Sequence, residues 1–121
     1  MAQQLVTPEI KRFDILVADL GENSIGSVQR GKRPVLVVQN DTGNRHSPNV
    51  TVVSITTKKK KKLPTHVDLK GVECGLFEDS TVLFETLHTI SKSQIVRKLN
   101  SVPSDYYNDL NLAYRVQTGL L

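Results

Sequence analysis

Apolar positions in this chain alternate in short clusters, and only near the C-terminus do they take helical spacing. Residues 13–20 are β-branched and aromatic in character and end at Gly21, which predicts a strand. In residues 33–39 Val35 and Val37 alternate with Leu36 and Val38. Both faces are then apolar, and the strand should be central in a sheet. Pro34 lacks a donor but falls at the strand start, where that is tolerated. Residues 49–56 predict a third strand, and 65–69 and 81–84 two more. Residues 85–90 read as a short strand or an extended crossing. Between them lie a polar lead-in at 1–11, expected to be mobile, and a glycine-punctuated loop at 21–32. A turn-rich stretch follows at 40–48 and a lysine-rich loop at 57–63. Ser91 is placed to cap a short helix through residue 99. A longer helix spans 103–118 and closes at Gly119, with a stripe of Tyr106, Leu110, Ala113, Val116 and Leu120. Short strands followed by C-terminal helices predict a mainly β protein, a small partly open barrel with helices packed across it. The pattern alone does not choose an SH3-like barrel over an OB-type one.

Length sharpens this to a single domain over residues 1–121. With 38% hydrophobic and 23% charged residues, the chain is globular rather than disordered. The net charge of +4 is concentrated in the run Lys58 to Lys62, which favours an anionic partner. The lone Cys74 forms no internal disulfide and suits a reducing compartment. The N-terminus lacks a signal-peptide pattern and no apolar run approaches membrane length, so a cytoplasmic protein without a membrane partner is expected.

Candidate chemistry begins at Arg33, a permanent cation delivered to the rim of an apolar strand. Its planar fork of donors matches phosphate oxygens, though a rim arginine pairing with Asp14, Asp19 or Asp41 fits equally well. Thr56 ends the third strand, and its hydroxyl can serve the same rim or simply favour a strand. The lysine run attracts phosphate without sequence preference, or forms a solvated loop that discourages aggregation. His46, His66, His88 and Cys74 lack the spacing of a zinc site, and no nucleophile elbow, P-loop or histidine pair stands out. No metal and no cofactor are expected.

The segment from Gly26 to Asp41, including Ser27, Gln29, Arg33, Pro34, Val35 and Leu36, resembles the G-S-x-Q-x-G-x-R-P-V-L loop and strand of MazF/PemK-type toxins. The resemblance continues in Asn44-Arg45-His46-Ser47-Pro48, Ser54-Ile55-Thr56, Leu63-Pro64-Thr65-His66-Val67, Phe77-Glu78-Asp79-Ser80 and Thr89-Ile90, covering roughly residues 11 to 120. It implies an SH3-like barrel and a sequence-specific, metal-independent endoribonuclease that cuts single-stranded RNA through its own 2′-hydroxyl. It further implies a homodimer and a cognate antitoxin with an acidic tail. By the same resemblance Arg33 and Thr56 are catalytic. Ser27, Gln29, Lys32, Lys58, Lys59, Thr86 and His88 are then expected to contact RNA. Three departures stand out. Val28 replaces a glutamate common in relatives, Thr86 an amide, and His88 an arginine. The departures at Thr86 and His88 point to a different recognised sequence, and the general base stays open. Two rivals remain: a gyrase poison of the CcdB kind, whose aromatic terminus is missing here, and a non-catalytic RNA-binding barrel.

Overall fold

A computed structural model describes residues 9–21, 31–58 and 61–120. Among these residues six strands form one antiparallel sheet: β1 Asp14–Asp19, β2 Lys32–Val37, β3 Asn49–Thr56, β4 His66–Leu69, β5 Ser80–Ser91 and β6 Ile95–Ser101. The order β4-β5-β3-β2-β1-β6 is linear and leaves β4 and β6 as edges, so the expected barrel is open. As the apolar pattern of residues 33–39 requires, β2 is internal, between β1 and β3. Alternation sends Ile15, Leu36, Val53, Ile55, Val82 and Phe84 to one face. Leu16, Ala18, Val35, Val37, Val50 and Val52 go to the other. Full burial of one such Leu, Ile or Phe contributes about 1.5–3 kcal/mol.

Helix α3, Tyr107–Thr118, lies on the first face through Leu110 and Ala113. A 3-10 turn, Ser104–Tyr106, precedes it. Gly119 ends it at φ 73°, a left-handed conformation that costs glycine little. Phe13 also has positive φ, 69°. It is held there because its N–H donates to Val37 O and its carbonyl accepts from Val102 N. Residues 1–8 of the lead-in lie outside the described residues, whereas Ile10 is buried in the second cluster.

Two local expectations differ from the structure, and one short helix was not expected. Residues 40–48 hold a short helix, α1 Asp41–His46, whose N-cap Asn40 accepts from the Gly43 N–H. Its Asn, Asp and Gly content is that of a turn, and the same side chains that make turns also cap helices. A four-residue helix, α2 Gly71–Cys74, follows β4. Ser91 does cap, through a capping box with Gln94, but only a single 3-10 turn, Lys92–Gln94. The chain then becomes β6, because the open edge of β1 supplies partners that local spacing does not record. Residues 85–90 continue the previous strand and complete the twelve-residue β5.

Candidate active site at one rim of the sheet

Strand register brings the two leading candidates together. The β2–β3 ladder pairs Val37 with Val52, Leu36 with Val53 and Val35 with Ser54. Continued by two residues, the same register sets Arg33 beside Thr56. Residues directly opposite in an antiparallel pair share a face. Arg33 and Thr56 therefore share a face with Val35 and Ser54, at the end where β2 begins and β3 finishes. Arg33 is exposed and pairs across the other side with Ala18 of β1. Thr56 is only 7% exposed. Its Oγ1 accepts the Lys58 N–H at 3.2 Å, which turns the chain into the lysine loop. A hydroxyl that accepts in this way still has its own hydrogen to donate toward the rim. Thr57, the register alternative, is exposed.

Beyond Thr56 the rung continues to Thr81 of β5 and Asp68 of β4. The β3–β5 ladder is irregular between Val52 and Ser54: Val52 faces His88 but Ser54 faces Leu83. Residues 84–87 therefore bulge opposite the single residue Val53. Thr86 braces this bulge. Its Oγ1 accepts the Ser54 N–H at 3.0 Å and donates to Leu83 O at 2.6 Å. With both bonds made, its hydroxyl is engaged inside the sheet. His88 faces Val52, four residues along β3 from Thr56. Its Nδ1 donates to Thr86 O at 2.6 Å, which fixes the tautomer because a carbonyl only accepts. Its Nε2 is buried with no hydrogen-bond partner among the described residues.

Glu85, also in the bulge, ties β5 to the segment after the lysines. Its carboxylate accepts from Thr65 Oγ1 at 2.8 Å and from His66 Nε2 at 2.7 Å. His66 Nδ1 in turn accepts the Leu63 N–H at 3.2 Å. Partial burial works to raise the Glu85 pKa. The hydrogen bonds from His66, its own backbone and Thr65 outweigh that and hold it below the ordinary value.

Of the expected site residues, then, Arg33, Thr56, Lys32 and Lys58 gather at one rim. Lys32 and Lys58 are exposed there, Lys32 across from Asp19. Thr86 and His88 lie on β5, away from this rim. Ser27, Gln29 and Lys59 lie outside the described residues, as does Val28. Among the described residues no three His, Cys, Asp or Glu side chains gather as a metal site. No helix among them is long and apolar enough to cross a membrane. Sequence reasoning missed the bracing role of Thr86 and the Glu85–His66 clip. Both depend on partners 19 or more residues away, and no local pattern announces them.

Residues 11–117 match the family of PemK-like, MazF-like toxins of type II toxin–antitoxin systems. The chain belongs to this family. It is 39% identical over 113 residues to Endoribonuclease EndoA of Bacillus subtilis strain 168, covering 93% of this chain and 97% of that protein. Among solved structures it resembles an endoribonuclease in complex with its cognate antitoxin from Mycobacterial species. That likeness has a TM-score of 0.78 at 27% identity and covers 93% of this chain and 97% of the other. MazF from Deinococcus radiodurans shares the fold, with a TM-score of 0.76 at 18% identity over 93% of this chain and 98% of that one. This MazF/PemK chain thus has the open antiparallel sheet and C-terminal helix of solved MazF toxins, and the gyrase-poison alternative falls away.

Proposed function

We propose that this MazF/PemK toxin is a cytoplasmic endoribonuclease that cuts single-stranded RNA at a short sequence without a metal ion. It would work as a homodimer and be held in check by a cognate antitoxin. The observation that carries the reading is the convergence of Arg33 and Thr56 on one rim of a chain whose relatives include a named endoribonuclease. The substrate's 2′-hydroxyl attacks the adjacent phosphorus and gives up its proton as the new P–O2′ bond forms. The P–O5′ bond breaks, and the leaving 5′-oxygen takes up a proton. Products are a 2′,3′-cyclic phosphate and a 5′-hydroxyl. Negative charge grows on the phosphate oxygens in the transition state, and the Arg33 guanidinium is suited to stabilise it there more than in the ground state. The Thr56 hydroxyl donates to a phosphate oxygen and fixes its orientation. Lys32, Lys58 and Lys59 supply charge for the RNA backbone, and Ser27, Gln29 and His88 remain the candidates for reading bases, whereas the Thr86 hydroxyl is already engaged within the sheet.

The chemistry of the new ends tests this reading. Cleaved RNA should carry 5′-hydroxyls that a polynucleotide kinase labels directly, and cyclic phosphates at the other end. New ends bearing 5′-phosphates would mean that water, not the 2′-hydroxyl, attacks, and would overturn the mechanism.

A further inference from the structure

The rim does not stop at Thr56. The rung through Thr81 and Asp68 runs to the β4 edge, two interstrand spacings or about 10 Å from β3. There it meets a cleft of about 580 Å³ whose walls include Lys58, Lys62, Lys70 and Tyr106. Two carboxylates also line this cleft, Asp68 and Asp79, but both are engaged. Asp68 accepts from Thr81 Oγ1 at 2.9 Å and pairs with Lys62 at 3.5 Å. Asp79 accepts the Gly71 N–H at 2.9 Å. Lysines outnumber carboxylates three to two along the lining, and among the described residues only Lys62 of the three is ion-paired, so the net charge of the cleft is positive. The Tyr106 ring is anchored, because its hydroxyl accepts the Lys70 N–H at 3.2 Å and donates to Glu73. Next to Lys70, Gly71 lets the chain pack closely on the segment before β5, since a Cβ there would sit 2.6 Å from the Glu78 carbonyl oxygen. Lysines beside an anchored aromatic are a means by which proteins hold single-stranded nucleic acid.

We propose that this cleft is a nucleotide subsite, holding single-stranded RNA next to the cut. One phosphate sits against Lys58 and Lys70 and one base against Tyr106. This rests on the endoribonuclease reading above and extends it. With the reacting phosphate between Arg33 and Thr56, the chain on one side of it runs along the Thr56–Thr81–Asp68 rung into the cleft. In the other direction the end of β1 carries Asp19, a poorer neighbour for a phosphate. An acidic peptide would also be drawn to the lysines, but Tyr106 and the line to the catalytic rim favour RNA.

The test compares a minimal RNA spanning only the mapped cut sequence with the same RNA extended on either side. Lys70→Glu is set against Lys11→Glu, an equal charge change just before the far end of β1. On the RNA extended toward the cleft, Lys70→Glu should raise KM several-fold with kcat unchanged. It should lower the slope of log affinity against log salt by about one. The minimal RNA should be unaffected, and Lys11→Glu should alter neither. Tyr106→Phe, which keeps the ring but removes both hydrogen bonds that anchor it, should weaken binding of the extended RNA and leave the minimal RNA unaffected. Binding of a 2′-deoxy version of the extended strand, followed by fluorescence anisotropy, reads the subsite without cleavage. A parent protein that binds this strand through Lys70 but cuts no RNA would defeat the endoribonuclease reading and leave the subsite standing. Equal losses with Lys70→Glu and Lys11→Glu would overturn the subsite. So would a Lys70→Glu defect confined to an acidic peptide.

Discussion

At the scale of single residues, what distinguishes Arg33 and Thr56 is their difference in exposure. Arg33 stands in solvent, whereas Thr56 is nearly enclosed and pinned through Oγ1 to the Lys58 N–H. An exposed cation can meet a phosphate arriving from outside, and a pinned hydroxyl can orient it only once it has arrived. Thr56→Val keeps shape and β-branching but removes the donor. It should lower kcat by about 10²-fold, as expected for one preorganised donor, while RNA affinity changes little. Single-turnover rates and binding isotherms measured together separate the two effects. Equal losses in both would make Thr56 a binding residue. Both positions were legible in the sequence, since the R-P-V and S-I-T steps mark them and strand alternation puts them at strand ends. What Thr86 does was not legible. As a letter it is a missing amide, but in the folded chain its hydroxyl bridges Ser54 N and Leu83 O across the bulge.

At the scale of elements, β5 organises the site. Its first half pairs with both β3 and β4, its second half with β3 alone, and the bulge between them carries Glu85, Thr86 and Leu87. Glu85 holds His66 and Thr65 and so fixes where the lysine loop re-enters the sheet. Its folded pKa is depressed, so between the folded and ordinary values the unfolded chain binds more protons. The stabilisation is therefore complete above the ordinary glutamate value of 4.5 and is lost as pH falls through the folded value. Urea denaturation of the parent and Glu85→Gln proteins should show a stability gap that is full at about pH 6 and shrinks below 4.5. A gap that does not change with pH would remove Glu85 from this role. Alternation revealed β1, β2, β3 and β4 to within two residues. It missed α1, whose side chains read as a turn, and β6, whose existence depends on the open edge of β1. Propensity describes a segment, but an edge strand is decided by its neighbour.

At the scale of the whole molecule, net charge, family and geometry converge on RNA. The +4 charge is unevenly spread, and the lysine run leaves directly from the strand that ends in Thr56. The cleft at the β4 edge draws on the lysine loop, β4, β5 and the turn before α3, segments that only the folded sheet brings together. Lys70 and Tyr106 are 36 residues apart and carry no shared motif, so sequence reading had no means to join them. The central claim is that Arg33 does chemistry on RNA rather than merely attracting it. The most direct measurement is cleavage of a long single-stranded RNA in excess EDTA by the parent protein and by Arg33→Ala, with new 5′ ends mapped. The parent should cut at one short sequence, and a folded Arg33→Ala protein should cut the same sites about 10²-fold more slowly or worse. Near-parental cleavage by folded Arg33→Ala, or no cleavage by the parent without added metal, would contradict the account.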